Sequence, residues 1–333
     1  MKILFIDSVC LNPYGPHTLA TQALGGTEAT VIRIAEALAQ KDNDVKVAQH
    51  NRVDRSEFKA QYIGFDQSFK EFNPTHVIVL RAPLVLYQVR ELFPQAKLYL
   101  WCHDLFDDVR WRKGFQAIID TGTFPIVVSQ WHQTNMYGCM RSINFQGLIT
   151  PHLIYNPIDD NLMPNNTIRD NNKLIFFSSP QKGLSHTIKV FERFQDFIKL
   201  KEMKLYVANP GYCANTDTES HPNVVQLGAL SHQAVIDHVR SSFAVLHLNS
   251  IYPETMGIVH AEANAVGTAF LNSRLGATPE CADHSDELID VTDEDAVIER
   301  MIQWKKYGAP KVQGNPNFRL AKIVSEWVKL FDL

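Results

Sequence analysis

The sequence lacks any apolar run approaching the roughly 20 residues that a membrane-spanning helix needs. It also lacks a cysteine framework. Its five cysteines (Cys10, Cys102, Cys139, Cys213, Cys281) lie far apart with no C-x-x-C pair, which argues against disulfide stapling and a structural zinc site and fits a reducing compartment. A surplus of one charge is missing too. Thirty-two Lys and Arg face 36 Asp and Glu, for a net charge of −4, so the chain is not built to grip a nucleic-acid backbone. There is no low-complexity segment and no short repeat. The basic-then-apolar start meets Asp7 too early for a signal peptide, and the expectation is a cytoplasmic protein. What is there is 333 residues, 45% hydrophobic and 20% charged, as in a globular enzyme of two or three domains.

The chain alternates apolar runs with amphipathic stretches. Residues 2–7, 44–48, 75–80, 97–101 and 124–129 read as buried strands, and residues 27–41 as a helix with Val31, Ile34, Ala35 and Leu38 on its inner face. Each gap leaves room for a crossover helix, which is the pattern of a parallel sheet covered on both faces. Asn156-Pro157 marks a turn, and residues 159–172 have no periodicity. The alternation then restarts, with strands expected at 173–177, 204–208, 224–227, 243–248, 268–272 and 287–291. Helices are expected at 183–200, 231–242 (capped by Ser231), 293–307 and 316–331. The expected fold class is α/β, with two doubly wound halves. Such sheets bind ligands at the carboxyl ends of their strands.

The most informative stretch is residues 253–280, PETMGIVHAEANAVGTAFLNSRLGATPE. A helix is expected over 256–266, apolar on nearly every side and therefore buried. Glu262 sits on its central stripe. An ionised carboxylate buried without partners costs several kcal/mol, so Glu262 must meet donors from the protein or from a ligand. Glu254 stands just before the helix, roughly 10–12 Å of helix rise away at about 1.5 Å per residue. The expected free amides of Thr255, Met256 and Gly257 lie between the two acids and, with the helix dipole, suit an anion. Carboxylates suit hydroxyls. A sugar joined to a diphosphate and a ribose presents hydroxyls, anion and hydroxyls over about that length. The plainer alternative is that Glu254 caps the helix and Glu262 pairs with a structural Arg or Lys.

These residues resemble the E-x7-E signature of retaining family-4 glycosyltransferases of the GT-B fold, the group 1 glycosyltransferases. Gly25-Gly26-Thr27-Glu28, Trp101-Cys102-His103-Asp104, Tyr155-Asn156-Pro157-Ile158-Asp159, Ser179-Pro180-Gln181-Lys182-Gly183 and Gly276-Ala277-Thr278-Pro279-Glu280 follow in the family's order over most of the chain. The resemblance implies two Rossmann-like domains facing across a cleft. Residues 1–155 would bind the acceptor, 156–315 the nucleotide-sugar donor, and the helix of 316–333 would cross back onto the first domain. It implies that Glu254 holds hydroxyls of the transferred sugar and that His103 stands near the reacting centre. Glu262 would accept from the ribose. Lys182, with Gly183 in the same loop, would neutralise the diphosphate, helped by the amides of Thr255, Met256 and Gly257, and Gly26 would let the first loop come close. The donor would be a UDP-, GDP- or ADP-sugar and the acceptor a carbohydrate or a lipid-linked one. The setting would be surface polysaccharide or lipopolysaccharide synthesis, with peripheral contact at the inner face of a membrane. Neither a cofactor nor a metal is expected. One departure stands out: no Arg precedes Lys182 between residues 173 and 182, which leaves Arg274 as a candidate second cation.

Other features weigh less. G-x-G-x-x-G is absent, which lowers the case for a dinucleotide. Asp42-Asn43-Asp44 matches a D-x-D metal string but falls where a turn is expected. Asp104, Asp107 and Asp108 read as a solvated loop or helix start, and residues 111–115 as an exposed helix face. His186, His221, His232, His238 and His247 lack a metal spacing such as H-E-x-x-H. An epimerase or sugar phosphorylase on the same architecture, and a non-catalytic nucleotide-sugar sensor, are the other readings.

Overall fold

The computed structural model describes residues 1–54, 56–211 and 221–333; Cys213 and the side chain of Asp108 lie outside what it describes. The chain divides into two units. One comprises Met1–Pro16, Thr27–Pro157 and Leu320–Leu333, the other His17–Gly26 and Ile158–Arg319.

In chain order, the elements up to residue 157 are β1 (Lys2–Asp7), α1 (Pro16–Thr21), α2 (Gly26–Ala39), β2 (Asp44–Gln49), β3 (Ser56–Glu57), β4 (Gln61–Ile63), α3 (Gln67–Lys70), β5 (His76–Leu80), α4 (Leu86–Leu92), β6 (Lys97–Trp101), α5 (Asp108–Asp120), β7 (Phe124–Val127), α6 (Gln130–Ser142) and β8 (His152–Leu153). The sheet of the first unit runs β3-β4-β2-β1-β5-β6-β7-β8, parallel except for the short β3–β4 pair. The apolar centres of strands β1 (Ile3–Ile6) and β5 (Val77–Leu80) are buried on both faces, as a covered parallel sheet requires. Chain order reverses between β1 and β5, and that point is where such sheets seat ligands.

The later elements are β9 (Asp170–Phe176), α7 (Leu184–Ile198), β10 (Lys204–Asn209), β11 (Val224–Ala229), α8 (His232–Arg240), β12 (Ser242–Leu246), α9 (Ile258–Ala265), β13 (Phe270–Leu271), α10 (Thr278–Cys281), α11 (Glu294–Tyr307) and α12 (Leu320–Phe331). The sheet of the second unit, all parallel, is β11-β10-β9-β12-β13. Its order reverses between β9 and β12. Ser231 caps α8 by accepting from the Ala234 amide, and Asp293 caps α11 by accepting from Ala296, each satisfying an end amide that the helix leaves unpaired.

Helix α12 belongs to the first unit. Ile323, Val324, Trp327, Leu330 and Phe331 are buried, and Trp327 packs edge-on to Trp101 with ring centres 4.8 Å apart. The Phe331 carbonyl accepts from Lys97 Nζ at 3.1 Å. Burying five large side chains at roughly 1.5–3 kcal/mol each is what holds this last helix down. The helix begins at Leu320 and not at 316, because residues 316–318 form a separate 3-10 turn capped by Asn315.

Two expectations need correction. Residues 287–291 form no strand: a 3-10 turn takes Ser285–Glu287, and only an isolated bridge joins Asn272 to Leu288. The buried Glu287 carboxylate causes this by gathering the Phe270, Asp283 and His284 amides and the Asn264 side chain. The helix expected over 256–266 runs only over Ile258–Ala265. Gly257 caps it at φ +77°, a left-handed conformation that cannot continue into an α-helix and that glycine adopts at least cost.

Candidate functional site

In the second unit, the loops that follow β9 and β12 meet at the point where strand order reverses. The loop after β9 ends in Lys182-Gly183, and Gly183 opens α7. A Cβ on Gly183 would stand 2.3 Å from the Leu248 carbonyl oxygen, and its φ is +93°, so no other residue fits without moving the backbone. This close approach brings the β9 loop against the chain leaving β12.

Lys182 Nζ lies 2.8 Å from Glu254 Oε2. The two residues are 72 positions apart in sequence. Glu254 is held by its backbone as well: it forms an isolated parallel bridge with Gly276, and its carbonyl accepts from the Ala277 amide at 2.8 Å. The Glu254 side chain is 9% exposed and that of Lys182 31%. Glu254 Oε1 is buried and has no hydrogen-bond partner among the described residues. A buried acceptor left open costs about 1–3 kcal/mol, so this oxygen can take a hydrogen bond from a donor group.

Glu262, on the buried side of α9, accepts from His232 Nε2 at 2.8 Å. One partner of Glu262 is therefore a histidine at the start of α8. Because α9 starts at Ile258 with Gly257 as its cap, the amides of Gly257, Ile258 and Val259 stand at its N-terminus. Thr255 is half-buried, while Met256 and Gly257 are buried, and the Met256 carbonyl accepts from Cys281 Sγ. Gly26 belongs with this unit, and a Cβ there would come within 3.2 Å of Ile258 Cγ2. Thus Lys182, Gly183, Glu254, Gly257 and Gly26 gather about the nose of α9, with Glu262 one and a half turns in. Arg274 is exposed and makes no hydrogen bond or ion pair among the described residues.

His103 belongs to the first unit, two residues past the carboxyl end of β6. It is buried, its Nε2 has no partner among the described residues, and its ring centre lies 4.7 Å from that of Trp101. Burial, then the neighbouring Arg81 and His132, hold it well below the ordinary imidazole range, so it is neutral. The same edge of the sheet carries a cluster that the sequence did not announce. Tyr14 donates to Asp7 Oδ2 at 2.9 Å, and Arg81 reaches Asp7 at 3.5 Å and Glu28 at 3.4 Å. Asp7 ends β1 and Arg81 follows β5, at the reversal of strand order in this sheet. Arg81 holds φ at +59°, an uncommon conformation for a side chain of this size.

Two buried histidines of the second unit also went unnoticed as a pair. His247 Nδ1 stands 2.9 Å from His260 Nε2, and His247 Nε2 contacts the Lys182 carbonyl at 3.0 Å. A histidine inside the apolar run of α9 was the available signal.

Comparison with known proteins bears on the whole arrangement. Residues 159–313 match the model of the glycosyl transferases group 1 family. No curated protein matches the chain by sequence. Among solved structures, sucrose-phosphate synthase from Thermosynechococcus elongatus superposes with a TM-score of 0.75 at 15% identity, covering 100% of this chain and 98% of that one. A UDP-forming α,α-trehalose-phosphate synthase from Burkholderia vietnamiensis gives 0.68 at 8% identity, covering 99% of each chain. An α-glucosyltransferase in complex with UDP and DNA gives 0.63 at 11%, covering 100% and 99%. Likeness at these identities concerns the fold, which is GT-B.

Proposed function

We propose, from the match of residues 159–313 to the glycosyl transferases group 1 model, a retaining transfer in which Glu254 and Lys182 act on the two sides of the breaking bond. The chain is a glycosyltransferase that takes its sugar from a nucleotide-sugar donor. The second unit binds that donor, a UDP-, GDP- or ADP-sugar, and the first binds the acceptor, a carbohydrate or lipid-linked hydroxyl of surface polysaccharide synthesis.

The observation that carries this reading is the Lys182–Glu254 pair with its open, buried Oε1. With no donor, Lys182 neutralises Glu254. When a diphosphate arrives, its oxygens compete for the ammonium, and the Ile258 and Val259 amides at the nose of α9 add donors and a favourable dipole. Glu254 is then released to accept from hydroxyls of the transferred sugar, starting at Oε1. Glu262 accepts from a ribose hydroxyl alongside His232. As the bond from the sugar carbon to the diphosphate oxygen breaks, charge grows on the leaving group. Preorganised donors there are worth about 2.7–4 kcal/mol each. The acceptor oxygen bonds to the same face of the sugar carbon and its proton passes to the departing phosphate, so no enzyme nucleophile is needed. His103, neutral and with Nε2 open, is the first unit's candidate for touching the reacting hydroxyls.

A thermal-shift panel of UDP-, GDP- and ADP-sugars tests donor binding, because a ligand at 100 times its Kd stabilises by about 2.7 kcal/mol. One base should stand out. Incubating that donor without acceptor should give slow hydrolysis. Conversion to an epimeric sugar would support the epimerase reading instead, and binding without turnover on any acceptor would support the sensor.

A further inference from the structure

Three neighbouring strands of the first unit, β1, β5 and β6, end in the same way. The register pairs Ile6 with Val79 and Leu80 with Trp101. Ser8 after β1, Arg81 after β5 and His103 after β6 therefore leave the sheet side by side, within one residue of a common level. The Arg81 amide donates to the Trp101 carbonyl at 3.1 Å and holds two of these ends together. Ser8 Oγ, Arg81 Nε and His103 Nε2 are all buried, and none has a hydrogen-bond partner among the described residues. His103 as a whole is only 7% exposed. Buried polar atoms are paired as a rule. Here three exceptions stand together where chain order reverses, which is where such sheets seat ligands. Arg81 also holds φ at +59°, a backbone conformation that costs free energy and collects at ligand sites.

The charges around these atoms narrow what they can meet. Arg81 Nη2 lies 3.5 Å from Asp7 and 3.4 Å from Glu28, so one cation stands between two carboxylates. Asp7 also accepts from the Tyr14 hydroxyl at 2.9 Å and the Val9 amide at 3.2 Å. Glu28 is the more accessible acid, with a side chain 20% exposed against 0% for Asp7. Arg52 donates to the Tyr14 carbonyl at 3.0 Å but has its own counter-ion in Asp54 at 3.2 Å, so it leaves the balance unchanged. The cluster carries a net negative charge. A phosphate dianion would meet repulsion here and, as an acceptor only, could not satisfy Glu28. A hydroxyl can accept from the Arg81 Nε–H and donate to Glu28 at once.

We propose that the ends of β1, β5 and β6 form the floor of the acceptor site and select an uncharged sugar, with Glu28 and Arg81 as the specificity-determining pair that reads its hydroxyls and turns away a sugar phosphate. The proposal rests on the sugar-transfer reading above and narrows its acceptor to the neutral class. A lipid-linked acceptor would present its sugar here and not its phosphate.

Saturation-transfer NMR of the full chain, with saturating UDP, GDP or ADP added to occupy the second unit, measures the binding of glucose, galactose, mannose and N-acetylglucosamine, each beside its 6-phosphate. The expected result is at least one neutral sugar bound about tenfold or more tightly than its 6-phosphate, the scale of bringing like charges together. Glu28→Gln removes one negative charge and keeps an acceptor oxygen, and the ratio should fall about fivefold or more. A 6-phosphate bound as tightly as its parent sugar, no binding by any of the four neutral sugars, or a ratio unchanged in Glu28→Gln overturns the proposal. Where a nucleotide still binds in the same samples, the donor reading stands and only the proposal falls. Failure of all three nucleotides to bind overturns both. Should Glu28→Gln not fold, the wild-type ratio alone decides.

Discussion

Breaking the Lys182–Glu254 pair from its two ends should have unequal consequences. Lys182→Met leaves Glu254 with neither oxygen partnered, on a side chain only 9% exposed. An uncompensated buried charge costs about 3–5 kcal/mol, and the residual exposure places this case near about 3 kcal/mol. Glu254→Gln leaves an ammonium on a side chain 31% exposed, which can turn to water, while the amide oxygen can still accept from it. That loss should be about 1 kcal/mol, the net worth of an ordinary hydrogen bond. At about 2–4 °C per kcal/mol for a unit of this size, Lys182→Met should melt about 6–12 °C below wild type and Glu254→Gln about 2–4 °C below. The double variant should recover most of the larger loss, because it removes the stranded charge. Thermal melts of the four proteins at pH 7.5 close the cycle. Equal losses at the two ends, or a double variant as unstable as the sum of its parts, would refute the view that Glu254 is a buried acid held in check by Lys182.

Acid should weaken the first unit. Burial lowers His132 to about 4, below the 6.5 of an unfolded histidine, so the unfolded chain binds more protons and stability is lost as pH falls from about 6.5 towards 4. Integrated between pH 7.5 and 5.5 this one ring contributes about 1 kcal/mol, with His103, His76 and His152 shifted the same way; denaturant melts at the two pH values should show the drop, and a rise would contradict it. Gly183→Ala should destabilise the second unit by more than about 2 kcal/mol, since its Cβ would overlap the Leu248 carbonyl at a positive φ, and an unchanged melting temperature would show that the loop can yield. Glu262→Ala should weaken nucleotide binding tenfold or more, about 1.4 kcal/mol, in a fluorescence or calorimetric titration. Unaltered affinity would remove it from the ribose.

How much the sequence reveals depends on the range of the interaction. The apolar runs of β1, β6 and β10 and the caps Ser231 and Asp293 are local signals and were legible. So was the need of Glu262 for a partner, because a charge in an apolar stripe must be answered. The identity of that partner was not, since His232 lies 30 residues away and nothing local couples the two. The start of α9 was misplaced because periodicity counts Met256 and Gly257 as helical, whereas the backbone turns left-handed at Gly257. The supposed strand at 287–291 has a strand's composition but is diverted by the hydrogen bonds that Glu287 collects. The Asp7–Arg81 contact and the His247–His260 pair arise only when a sheet order brings distant strand ends together. Composition and spacing are silent on such pairs.

The most direct test of the central claim is the single-turnover rate of Glu254→Gln beside its donor affinity, using the donor that stabilises the wild type best. The account predicts a rate lowered about 100-fold or more, the scale of removing one preorganised polar group at a reacting centre, with donor Kd changed less than about tenfold. A variant that transfers sugar at the wild-type rate would contradict it, because the buried carboxylate would then have no part in holding the sugar.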